Sequence, residues 1–181
     1  MSTNLYYDKI VDKWAKEAES VVRSWPNFDN FVLAVIKKDW SKSRISSRGG
    51  MYKEGPGINI AMHRYAVPKL SIYRFYEYAS YDEDKNIGGF FSTDPEHEIA
   101  AIVLHEVAHS AQFFAHYEGF KQVDKPHGDS FKIPYFKLRT SLLNNKIPIN
   151  QKQLETEYNN IINKWRISNN GLSIVKKSSV V

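Results

Sequence analysis

The residues of this chain whose types and spacing point most directly to chemistry are His105-Glu106-Val107-Ala108-His109, an HExxH pentapeptide. On a helix, residues four apart stand one turn above each other, so His105 and His109 project from one face and can bind a single metal ion. Glu106 lies about 100° around the helix from His105, near enough to hold a water on the ion but badly placed to be its third ligand. The pentapeptide sits in a largely apolar run from Ile99 to Ala115, where Ala100, Val103, Val107, Ala111 and Phe114 make a continuous apolar back face. That face predicts a buried helix with its imidazoles turned inward or into a cleft, which favours metal ligation over two unrelated surface histidines.

A catalytic zinc takes three protein ligands and keeps one position open. The chain has no cysteine, so the third ligand is a histidine or a carboxylate. His116 follows His109 by seven residues and on a continuous helix stands roughly 10 Å further along, too far for one ion. Glu155 or Glu157, from a later helix, is a conventional alternative. His127 is the better placed candidate: Pro126 before it and Gly128 after it set it on a tight turn returning toward the helix after 17 intervening residues. His63 and His97 read as surface or satisfied core groups. Asp124 and Asp129 are candidates for orienting a ligand imidazole. Tyr117, Tyr135 and Arg139 are candidates for stabilising an oxyanion, with no spacing to single one out.

The pairing of His105-Glu106-Val107-Ala108-His109 with His127-Gly128-Asp129-Ser130-Phe131 resembles the SprT-like metalloproteases, the group that includes Spartan, where HExxH is followed downstream by His-Gly-x-x-Phe. The resemblance covers about residues 57–143. The gap before the third histidine is longer than is usual in that family, and the Cys-rich zinc ribbon of many bacterial members is absent. The resemblance implies a zincin-like domain, a Zn2+ ion on His105, His109 and His127, and Glu106 as the general base of an endopeptidase. It also implies protein substrates, among them proteins bound to DNA. Two rivals stand beside it: a DNA-binding module with a structural zinc, and a zinc hydrolase of a non-protein substrate.

The elements that must position these residues read as one α+β domain over residues 1–181, with a small antiparallel or mixed sheet against the HExxH helix and helices flanking it at both ends. The three- and four-residue recurrence of Leu5, Ile10, Val11, Trp14, Ala18, Val21 and Val22 predicts a helix over Leu5–Ser24, stopped by Pro26. The stripe Phe31, Val32, Val35 and Ile36 predicts a second, Asn30–Lys38. Asp39–Gly50 reads as a polar loop or the start of a hairpin, with Gly55-Pro56-Gly57 as a further turn. Strands are expected at Gly57–Met62, Leu70–Ser80 and Ile87–Phe91, with a charged turn at Asp82–Asn86. The last strand offers an edge on which an extended peptide can be laid. The HExxH helix is expected to start at a Thr93/Glu96 capping box or at Asp94 with Pro95 in first position, and to end at Gly119. Further helices are predicted from Asp129 or Pro134 to Leu143, stopped by Asn144-Asn145, and over Gln151–Ile167, with a frayed, flexible tail from about Asn169.

At 181 residues with 42% hydrophobic and 14% aromatic content the chain is long enough for one real core. No apolar run reaches the roughly 18 residues needed to cross a bilayer, and Met1–Lys13 lacks a signal-peptide core, so no membrane association and an intracellular location are expected, cytoplasmic or with the nucleoid or nucleus if DNA is a partner. The formal charge is +5, and Lys37–Lys53 alone holds Lys37, Lys38, Lys42, Arg44, Arg48 and Lys53 against Asp39. Beside Trp40 and Tyr52 this stretch suits either a nucleic-acid surface or an ordinary solvated loop. The last 22 residues add Lys164, Arg166, Lys176 and Lys177 with no acid.

Overall fold

A computed structural model describes residues 3–43, 46–66, 71–75, 88–125, 127–144 and 150–177. Its elements, in chain order, are α1 (Thr3–Arg23), β1 (Val35–Asp39), β2 (Arg48–Tyr52), β3 (Gly55–Ala61), a 3-10 turn (His63–Ala66), β4 (Tyr73–Phe75), β5 (Phe90–Ser92), α2 (Pro95–Tyr117), α3 (Asp129–Leu143) and α4 (Gln151–Lys177). The architecture is α+β with small sheets, as expected from the pattern. Among the described residues no helix is long and apolar enough to cross a membrane.

Helix α2 is the axis of the core. Asp94 caps it by accepting a hydrogen bond from the Glu96 amide at 2.9 Å, Pro95 occupies the first position, and Gly119 at φ +76° turns the chain out. The proline start therefore prevails over the Thr93/Glu96 box. The back face is buried as read: Ala100, Val103 and Val107 have no exposed surface. Helix α1 packs Ile10, Val11, Ala15, Ala18 and Val22 into the same cluster, and α3 adds Phe131, Tyr135 and Leu138. The core thus reaches well upstream of residue 57, where the resemblance begins.

The predicted second helix is not formed. Residues 31–34 are extended and lead into β1, which pairs parallel with β3 in the order β1-β3-β2. Burial along the segment follows a period of two: Phe31, Leu33 and Val35 are buried while Val32 and Ala34 face out. Tertiary partners take the backbone donors that a helix would use, since the Leu33 amide donates to the Glu19 carboxylate at 2.7 Å and the Ala34 amide to the Pro56 carbonyl at 2.9 Å.

The glycines also lie in strands rather than turns. Gly49 and Gly50 are in β2 and Gly55-Pro56-Gly57 opens β3, so the hairpin turns at Lys53-Glu54. The reason is proximity to α2: a Cβ on Gly49 would stand 1.8 Å from the Glu106 carbonyl oxygen. The Ser110 hydroxyl joins the same contact. It accepts from the Gly50 amide at 3.1 Å and lies 2.6 Å from the Gly57 carbonyl, inserting a helix side chain between two paired residues of the hairpin.

Strands β4 and β5 form a separate antiparallel ribbon. Only residues 71–75 of the Leu70–Ser80 strand fall among the described residues. Ile87, Asn145 and the Asp82–Asn86 turn lie outside them. The edge of β5 is not open for a peptide as expected. The Gln151 side-chain amide accepts from the Phe91 N–H at 2.7 Å and donates to the Phe91 carbonyl at 2.9 Å, the pair of bonds that an added strand would make. Tyr158, packed on Phe91, fixes α4 to the ribbon. Helix α4 continues to Lys177, into the tail expected to fray.

Candidate metal centre

The helical spacing of α2 sets His105 and His109 with their ring centroids 4.8 Å apart. The loop entering α3 brings His127 across from them. Its Nε2 lies 3.3 Å from Nε2 of His105 and 3.1 Å from Nε2 of His109, and the three residues offer ligand atoms all within 4.8 Å of one another. Two nitrogens bound tetrahedrally to one zinc at 2.0–2.1 Å stand about 3.3 Å apart. One proton on His127 Nε2 can serve only one of the two nitrogens facing it, whereas a single cation can be shared by all three lone pairs. The three histidines are close enough to hold a metal ion.

Phe131 is the wall behind them. Its ring stacks on His109 with centroids 4.2 Å apart and stands 4.8 Å from His105 and 4.9 Å from His127. Tyr135 packs edge-on against His105 at 5.3 Å. The His-Gly-x-x-Phe spacing therefore has a plain structural meaning: His127 and Phe131 flank the start of α3 and meet the same two imidazoles. A Cβ at Gly128 would fall 2.0 Å from the Asp124 carboxylate, so a larger residue there would displace that side chain from its present position. Asp124 accepts from the Asp129 amide at 2.8 Å, the Lys125 amide at 2.8 Å and the Ser130 hydroxyl, and so caps α3 from outside the helix.

Of the residues proposed to orient the ligands, Asp124 is tied to the site through Ser130, while Asp129 is an exposed first residue of α3. The direct partner of His109 is Gln112, whose Oε1 lies 3.2 Å from Nδ1. Gln112 was not singled out from sequence, although its position three residues after His109 places it on the same face. Glu106 is 7% exposed, next in chain to His105. His116 is exposed in the last turn of α2, and Glu155 and Glu157 are exposed on α4, so none of the three joins the cluster. His97 stacks on Phe90 and His63 lies in the 3-10 turn. Tyr117 is 75% exposed, whereas Tyr135 and Arg139 have no exposed surface, so neither of the latter faces an open cleft. Arg139 lies over the Phe90 and Tyr135 rings and donates to the Gly88 carbonyl.

The basic stretch divides into two parts. Lys38 pairs with Asp12 at 2.6 Å, and the Trp40 indole donates to Asp8 at 3.0 Å, which ties both to α1. Trp40 is thus a packing residue and not a free stacking platform. Lys37, Lys42, Arg48 and Lys53 are exposed, with Lys37 near the Tyr52 ring, and Arg44 lies outside the described residues.

Burial, followed by the positive charge that His105 can carry, pushes the His109 pKa down from 6.5 to about 3. Between those values the unfolded chain binds a proton that the folded chain refuses, so stability falls as pH drops below about 6.5. Asp124, held low by the Ser130 hydroxyl and the Lys125 amide, sits at about 2 against an ordinary 3.8, and its contribution is lost only as pH falls through that lower window. Urea midpoints of chelator-treated protein are expected to decline steadily from pH 7 to pH 4.5; a flat profile would contradict the buried neutral His109.

Fold and site together define an α+β protein with three convergent histidines on a helix and a facing loop. Compared with known protein families, with curated proteins and with solved structures, the chain matches none.

Proposed function

We propose that this chain is a zinc-dependent endopeptidase of the zincin type, related to the SprT-like metalloproteases. The observation that carries the reading is the convergence of His105, His109 and His127, with Glu106 buried and next in chain to His105 on α2. Three imidazoles suit zinc, and a bound zinc supplies a more acidic water and a polarised scissile carbonyl. Glu106 would accept a proton from the attacking water and pass it to the leaving amine. The set provides three protein ligands and no fourth among the described residues, which favours an open catalytic site over a closed structural one. Exposed Lys37, Lys42, Arg48 and Lys53 support DNA as the partner that brings protein substrates to the site.

The deciding experiment is cleavage of a DNA-bound protein, with and without single-stranded DNA and chelator, by the parent and by Glu106→Gln. The variant should keep its zinc and lose roughly 10²- to 10⁴-fold in rate. Equal cleavage by both proteins would end the catalytic reading and leave a zinc-binding module. Cleavage indifferent to DNA and to salt would remove the DNA component alone.

A further inference from the structure

Gln112, on the helix carrying His109, reaches across to the loop carrying His127 and to the first turn of α3. Its Oε1 faces His109 Nδ1 at 3.2 Å, and its Nε2 lies 3.0 Å from the Lys125 carbonyl and 2.7 Å from Ser130 Oγ. It is 3% exposed, so water is a poor substitute for any of these partners. Which end of the amide faces which partner is decided by chemistry. A backbone carbonyl can only accept, so the NH2 group must face Lys125. Ser130 spends its hydroxyl proton on the Asp124 carboxylate, which leaves it an acceptor and demands the same orientation. The carbonyl oxygen of Gln112 then faces His109, Nδ1 must be the protonated nitrogen, and Nε2 is left with its lone pair pointing at His127.

We propose that Gln112 is a positioning residue: one amide, oriented by Lys125 and by the Asp124–Ser130 pair, selects the metal-binding tautomer of His109 and seats the His127 loop against it. This inference rests on the metal reading given above, but the tautomer can be measured without a metal. Asp124 reaches the imidazole through the same contact. Its carboxylate caps α3, sets the hydroxyl of Ser130, and thereby sets the amide that sets the imidazole.

The test uses the full chain and Gln112→Met, which keeps the volume and removes all three hydrogen bonds. Zinc affinity, read by competition with a chromophoric chelator, should fall about 10- to 100-fold. Nitrogen NMR of chelator-treated parent should show His109 protonated at Nδ1, and the variant should show a mixture of tautomers. If Gln112→Met does not fold, Ser130→Ala gives the smaller perturbation, with a several-fold loss of affinity and partial mixing of tautomers expected. Parent His109 protonated at Nε2, or unchanged zinc affinity in a folded Gln112→Met, would overturn the proposal. If the parent binds no zinc at all, the metal reading fails, and the NMR tautomers of parent and variant still decide whether Gln112 directs the ring.

Discussion

At the proposed zinc site, His127→Ala is expected to abolish zinc binding while His116→Ala retains it. His127 supplies the nitrogen lying 3.1 Å and 3.3 Å from its two neighbours, and without it the cluster is left with the two candidate ligands on α2. Removing a group that merely orients a ligand costs roughly 10- to 100-fold in affinity, so losing a ligand should cost more than about 100-fold. His116 is exposed at the far end of α2 and contributes nothing to the cluster. Metal content after dialysis against a zinc buffer compares the two variants, and retention by His127→Ala with loss by His116→Ala would refute the ligand set.

The second large effect concerns stability. Gly49→Ala places a methyl group 1.8 Å from the Glu106 carbonyl oxygen and 2.9 Å from its Cα, and both are backbone atoms that cannot swing aside. Either β2 leaves α2 or the helix shifts, and the Ser110 bridge to Gly50 and Gly57 breaks. A cost of about 3 kcal/mol, the upper end for overpacking, is expected in urea unfolding. Gly50→Ala is the internal control: its nearest neighbour would be a Phe113 ring carbon at 3.7 Å, an ordinary contact. Equal stability of the two variants would show that α2 does not rest on the β2 backbone as described. Because the clash falls on Glu106, Gly49 also fixes the backbone from which the proposed base projects.

The parts of this molecule legible in sequence are those whose signal is local. The apolar stripes of α1 and α2 have the helical period, and Asp94-Pro95 and Gly119 mark the ends of α2. Residues 31–38 misled because Phe31, Val32, Val35 and Ile36 satisfy a helical spacing as well as Phe31, Leu33 and Val35 satisfy an extended one. The choice was made by Glu19 and by strand β3, partners distant in the chain. The glycines of β2 and β3 misled for a related reason: glycine is required by a turn and by close backbone approach alike, and only the packed helix shows which applies.

The site divides in the same way. The positions of His105, His109 and Glu106 relative to one another follow from the 3.6-residue turn of a helix, and sequence alone determined them. Sequence also narrowed the proposed third ligand to a few candidates. Tertiary structure brought the loop carrying His127 to the helix and left His116, Glu155 and Glu157 outside the cluster. It likewise exposed Tyr117, buried Arg139 and closed the β5 edge with Gln151. It also turned the Gln112 amide, since that orientation depends on a carbonyl 13 residues away and a carboxylate reached through Ser130. Spacing along one helix is a property of the chain, whereas the direction of a hydrogen bond across two elements depends on which acceptor the fold places opposite.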